Sequence, residues 1–318
     1  MTEQRVSTVQ APVPEVSRDR WGRPRIYNPA TGTTDTFTRA STIGSAVEDL
    51  YNVQRWQRRI DAVGFSQRPD LVLAAAAHSD DRKELNRLID EAHEAGRGSA
   101  AATTGTALHR LAERDDRGET LPAVAGEYAA DLAAYREATA EWTFLAREQF
   151  VVLDAYGLAG SPDGIGTCAR WPDEAFVVDI KTGSTADLGA LKFAAQLAIY
   201  AHAVPCDPAT GERGTYSLPV NTEWGLIIHL PAGQGRAELR WIDLTAGWGV
   251  VETALAVRAW RSHKHFYRSY EPPDYLAQVA AAQTVEALRE VYRAARQAGA
   301  DTDALHAACV ARKQEFSP

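Results

Sequence analysis

The chain has 318 residues, 45% of them hydrophobic, enough to bury a full core and to form one large domain or two smaller ones. Its formal net charge of −8 argues against a protein that coats nucleic acid through bulk charge, and no run approaches the roughly 18 apolar residues of a membrane span. The opening MTEQRVSTVQAPVPEVSRDR has no apolar stretch of the kind a secretion signal needs, so the expected location is the cytoplasm, with no membrane partner.

Residues 1–20 are polar, contain two prolines and read as disordered. RPRIYNPATGTTDTFTRAST then reads as a hairpin turning at Asn28, Pro29 and Gly32. STIGSAVEDLYNVQRWQRRIDAVG predicts a helix ending at Gly64, and further helices are expected over 68–95, 104–116 and 123–146. Residues 18–59 hold eight arginines against four acids, a local basic track in an acidic chain.

The period then changes. EQFVVLD, GLAGSPDGIGTCA and AFVVDIKTG predict three strands joined as an antiparallel meander. LGALKFAAQLAIYAHAV has a helix period, EWGLIIHLP and RAELRWIDL a strand pair around PAGQG, and 245–317 reads as helical with a break at EPPD. This order predicts an α+β fold with a central mixed sheet flanked by helices. The expected organisation is a main domain over 21–244, its core at about 104–244, followed by a helical region over 245–318.

Five of the 34 basic residues are lysines, so a lysine at the end of the apolar run FVVDIK hints at chemistry that needs an ammonium. Asp179 and Lys181 lie two apart on a strand and project from one face. Asp163, in the turn GSPDGIG, can meet Asp179 around a hard divalent cation if their strands are neighbours, with the Ile180 carbonyl as a further oxygen ligand. In GTALHRLAE, His109 lies one turn into a helix that Thr103 or Thr104 can cap, and Glu113 follows on the same face as a reserve ligand. Such a set suits Mg²⁺ or Mn²⁺. Lys192, Gln196 and Tyr200 share one helix face that can look into the same cleft. Glu148, opening the first strand, either contacts the site or ends a helix.

The motifs GTALH, GSPDG, VVDIKTG and QLAIY, in this order over residues 104–202, resemble those of the RecB-like branch of the PD-(D/E)XK nucleases. That branch includes stand-alone phage recombination exonucleases and CRISPR-adaptation exonucleases. The resemblance implies a restriction-endonuclease-like core with helical additions at both ends. It makes His109, Asp163 and Asp179 metal ligands, Lys181 the catalytic lysine, and Gln196 with Tyr200 the motif on the helix after the core strands. The implied activity is metal-assisted hydrolysis of linear DNA as an exonuclease, leaving 5′-phosphate and 3′-hydroxyl ends, in recombination or repair. An annealing or recombinase protein is the implied partner. A structure-specific or restriction-type endonuclease on the same core and a catalytically idle DNA-binding subunit are the alternatives.

Departures from the family pattern carry expectations of their own. Cys168, Cys206 and Cys309 are scattered and read as free thiols, short of the four cysteines an iron–sulfur cluster needs, so no cluster is expected. No GxxxxGK[ST] loop is present, so no ATP is expected either. GIGTCA matches a dinucleotide pattern but runs into Pro172 and a strand rather than a helix. Finally, VRAWRSHKHFYRSY predicts a helix with Arg258, Arg261, Lys264 and Arg268 in one cationic stripe interleaved with aromatics, a candidate DNA-binding surface or simply a solvated face.

Overall fold

The computed structural model describes residues 16–124, 126–185, 187–264, 266 and 272–316, which divide into one unit ending at Ser262 and another beginning at His263. The N-terminal hairpin forms as expected from β1 (Arg25–Asn28) and β2 (Thr33–Thr36), reversing through Gly32 at φ +69°. Residues 16–20 belong to the fold, since Ser17 O accepts from Arg25 N at 2.8 Å and Asp19 accepts from Arg23 N at 2.9 Å. The rest of the segment expected to be disordered lies outside the described residues.

The helix expected to run from Ser41 to Gly64 is interrupted. After β3 (Thr38–Arg39), the short α1 (Ala40–Gly44) tightens into a 3₁₀ turn, and α2 (Tyr51–Gln67) starts afresh. Pro69 stops α2 and opens α3 (Pro69–Ala77), because the residue before a proline avoids helical angles. Asp81 then caps α4 (Arg82–Ala95), accepting from Lys83 N at 2.9 Å and Glu84 N at 3.1 Å, so the stretch 68–95 is two helices. Gly64 lies so close to the Ala92 carbonyl of α4 that any side chain there would collide with it.

Next come α5 (Ala100–Asp116) and α6 (Gly126–Ala138). The helix expected over 123–146 stops at Ala138, where Thr139 Oγ1 donates to Tyr135 O at 2.8 Å. The aromatic run beyond it forms β4 (Trp142–Arg147), where tertiary packing overrides the helical spacing of Trp142. The chain continues through β5 (Val151–Leu153), β6 (Leu158–Gly160), β7 (Gly164–Cys168), β8 (Trp171–Lys181), α7 (Ala190–Ala201), β9 (Val204–Pro205), β10 (Trp224–His229), β11 (Glu238–Asp243) and α8 (Leu244–Ser262).

These strands form a mixed five-stranded sheet in the order β11-β10-β8-β7-β4, with β8 and β10 parallel and the other neighbours antiparallel. A second sheet has the order β3-β6-β5-β9. The expected meander is therefore shared between two sheets. Pro162, which has no N–H to give a ladder, lies in the break Ser161–Asp163 that sends β6 to one sheet and β7 to the other.

Helix α7 is buried from Ala194 to Ala201 except at Gln196, and packs against both sheets as well as α1 and α8. Its alanines, with Gly247 facing the Ala194 carbonyl, let α8 approach closely. On the opposite face of the large sheet, Leu108, Ala112, Leu132 and Tyr135 of α5 and α6 cover Phe176, Val178, Ile180, Leu226 and Ile228. Asp131 of α6 accepts from Gly233 N and Gly235 N, both at 2.6 Å, which pins the β10–β11 turn. The unit is thus α+β, with mixed sheets flanked by helices.

Because α8 packs on α7, the division between units falls after Ser262 rather than near residue 244. The second unit holds α9 (Tyr275–Ala281), α10 (Val285–Gln297) and α11 (Asp303–Gln314), capped by Asp274, Thr284 and Thr302 around a core of Val279, Leu288, Ala295 and Leu305. No helix among the described residues is long and apolar enough to cross a membrane. The three cysteines are free thiols.

Candidate metal centre

Four segments distant in sequence deliver the site. Helix α5 begins at Ala100, so Thr103 and Thr104 are internal rather than capping, and His109 falls in its third turn. Leu108 and Ala112 of this helix are buried in the core beneath, and His109 and Glu113 follow one turn apart. Gly105 makes the approach possible, since a Cβ there would collide with Thr182 Oγ1 just beyond β8. Strand β4 ends at Arg147, past a register shift between Phe144 and Ala146. Glu148, at φ +50°, then holds a left-handed backbone that non-glycine residues seldom adopt. Asp163 ends the break between sheets. Its Oδ2 accepts from Ile180 N at 2.6 Å.

Ligand atoms of His109, Glu148 and Asp163 all lie within 4.8 Å of one another. His109 Nε2 is 2.6 Å from Glu113 Oε1 and 3.7 Å from Asp163 Oδ2. Glu148 therefore stands in the trio where the sequence pattern predicts Asp179. In the structure Asp179, 3% exposed, contacts the Lys181 ammonium, which also lies 4.4 Å from the Phe193 ring centre. Ile180 reaches the site through its N–H, while its side chain is buried in the α5–α6 core.

The electrostatics are those of crowded negative charge. Burial and the neighbouring Asp179 carboxylate push Asp163 up to about 7. Burial and Glu113 push Glu148 up to about 7 as well. Burial works to raise Glu113 too, but His109 more than offsets it and holds that carboxyl below its usual range. For His109 burial disfavours the charged ring, yet Glu113, Asp163 and Glu148 together raise its affinity for a proton. Two oxygen donors that hold their protons to near neutrality beside one imidazole fit a hard divalent cation, Mg²⁺ or Mn²⁺, whose charge would displace those protons.

Beneath the site, Arg147 is ion-paired with Asp116, their side chains 7% and 3% exposed, and donates to Tyr135 Oη at 2.6 Å and Asp163 O at 3.3 Å. On the α7 side, Gln196 Nε2 donates to Tyr200 Oη at 3.1 Å. Burial raises the Tyr200 hydroxyl above its usual range, so it remains a neutral phenol. Its ring is packed so closely on Gly160 that a Cβ there would lie 2.7 Å from the hydroxyl.

The other basic candidates disperse. Lys192 is held by Glu48 at 3.2 Å. Arg258 is half-buried, and Arg261 donates to Ala46 O at 3.2 Å. Helix α8 ends at Ser262, so Lys264 lies beyond it in the second unit, and Arg268 is outside the described residues. The expected stripe is therefore not the face of a single helix. Instead, a cleft of about 1060 Å³ in front of the trio is lined by Arg18, Arg110 and Arg117 together with Thr106, His109, Glu113 and Glu148. Thr106, Arg110, Glu113 and Arg117 recur at helical spacing, a pattern legible in the sequence. Along α2, Arg55, Arg58 and Arg59 are exposed beside Tyr51 and Trp56. Compared with known proteins, the chain matches no family model and no curated protein.

Proposed function

We propose that this chain is a metal-dependent exonuclease acting on linear DNA, built on a RecB-like PD-(D/E)XK core. The observation that carries the reading is the convergence of His109, Glu148 and Asp163 beside a strand that bears Asp179 and Lys181. His109, Asp163 and Asp179, with Glu148 and the Ile180 carbonyl, would hold Mg²⁺ or Mn²⁺. When bound, the ion supplies charge neutralisation at the scissile phosphate and an acidified water.

The chain's own groups do the rest. Lys181 sets an ammonium beside the Asp179 carboxylate, where it orients the attacking water and offsets negative charge developing on the phosphate. Arg18 and Arg110 flank the cleft and can grip neighbouring phosphates. Gln196 and Tyr200 hold one another on α7 and position the far wall. Arg147 carries Asp163 through its carbonyl and is itself fixed by Asp116.

Incubation with end-labelled linear DNA and with covalently closed circular DNA, each with Mg²⁺ or Mn²⁺, tests this reading. Loss of the linear substrate alone supports it, and cutting of the circle points to the endonuclease alternative. Lys181→Ala should abolish cleavage while DNA binding and the circular dichroism spectrum persist. Binding with no cleavage of either substrate by the unsubstituted protein would leave only the idle subunit. In a recombination or repair setting, the single strand exposed would pass to an annealing protein.

A further inference from the structure

At the other end of β8, on the face turned away from α7, lies a second cavity. Phe176 and Lys181 are five residues apart on that strand, about 17 Å at ~3.3 Å per residue. The strand register sets Val178 beside Leu226 and Leu226 opposite Trp241, and Phe176 and Trp224, each two residues back along its own strand, lie on the same face of the large sheet. Trp171, Glu174 and Asn221 complete a cavity of about 320 Å³ with Phe176, Trp224 and Trp241.

We propose that this cavity is a binding site for a small organic cation, an ammonium or guanidinium group, independent of the metal centre. Trp171 and Trp241 meet at 90° with ring centres 5.3 Å apart, and Phe176 lies 5.0 Å from Trp241. Trp171, Trp224 and Trp241 remain 38%, 45% and 42% exposed, whereas Trp142 behind them is 8% exposed. The three exposed rings are not scattered singly but line one cavity together. Aromatic rings that line a cavity together with a carboxylate suit a cationic occupant.

The polar side of the cavity supplies the matching charge. Glu174 Oε2 accepts from Asn221 Nδ2 at 2.7 Å, and Asn221 Oδ1 in turn accepts from Glu223 N at 2.9 Å and Trp224 N at 2.7 Å. The carboxylate is thus held in place by a turn. Among the described residues no arginine or lysine pairs with Glu174, and none lies over Trp171, Trp224 or Trp241. A nucleobase can stack on a single exposed indole without needing the Glu174 carboxylate, so dependence on that charge separates the two occupants.

Two sources carry the same chemistry, a free alkylammonium and the basic side chain of a protein. Titrating the full chain with tetramethylammonium, with N-acetylarginine amide and with neopentyl alcohol, a neutral compound of similar bulk, while following the indole N–H resonances, tests the site. Saturable shifts with either cation, at least about tenfold weaker for the neutral compound, are expected. Glu174→Gln, which keeps shape and the Asn221 contact, should weaken cation binding about tenfold, and Trp224→Ala should remove it with the fold intact by circular dichroism. Tighter binding of the arginine amide assigns the site to a protein side chain, and tighter binding of tetramethylammonium to a free cation. Equal binding of neopentyl alcohol or of a nucleoside, indifference to Glu174→Gln, or no saturable shift at all overturns the proposal.

Discussion

Asp163 Oδ2 and the Ile180 N–H meet at 2.6 Å, which anchors the link between the two sheets to the strand that carries Asp179 and Lys181. The same carboxyl, like Glu148, holds its proton up to about 7. Unfolded, these groups release their protons near 3.8 and 4.5. Without a cation the folded chain therefore binds more protons than the unfolded chain between those values and about 7, and loses stability as pH rises through that window. Asp163→Asn removes its share of the loss, so the gap in melting temperature between variant and parent should widen from about pH 4 to about pH 7 and then level off. Mn²⁺ affinity of the parent, measured by calorimetry, should rise over about pH 6 to 8 with proton release, and Asp163→Asn should weaken it by about 100-fold or more.

Glu148 holds a left-handed backbone at φ +50°, a conformation that costs a non-glycine residue about 1–3 kcal/mol. Glu148→Gly relieves it. The expected result is a protein more stable to urea by ~1 kcal/mol, yet with cation affinity and cleavage reduced, a split that a purely structural glutamate would not produce.

Gly105 is the point where α5 leans on Thr182. Gly105→Ala should displace His109 by pushing the helix off, costing about 1–3 kcal/mol in unfolding experiments and a larger share of activity. Adding Thr182→Ala removes the colliding hydroxyl, and the double variant should recover most of both.

Asp116 and Arg147 form a buried pair shared with Tyr135. Asp116→Asn removes the carboxylate paired with a buried guanidinium, so a loss of about 3–5 kcal/mol in chemical denaturation is expected. Replacing both members with apolar residues of similar volume should restore much of that stability.

The parts of the site fixed by local pattern could be read from sequence. Asp179 and Lys181 alternate on one strand, α7 shows its helical period, and β10 with β11 shows a hairpin pattern, so each followed from periodicity. Glu148 was legible only as an even choice. Its direction depends on a register shift in β4 and a positive φ that no residue type announces. Trp142 kept a helical spacing with Tyr135, but Thr139 closed the helix first. The break at Pro162 was visible as a turn, yet nothing local says that the strands on either side join different sheets. The stripe beyond Arg258 failed for a similar reason, as α8 stops at Ser262 with no glycine or proline to mark the end.

Ser161–Asp163 is the covalent step from one sheet to the other, and it also delivers one of the donors. The donors at 148, 163 and 179 sit on or beside strands of the large sheet, whereas His109 comes from α5, so the set is complete only once that helix has docked on the sheet. In a refolding experiment, recovery of ion affinity should therefore lag behind recovery of far-ultraviolet ellipticity, making the ion a clock for the final assembly of the molecule.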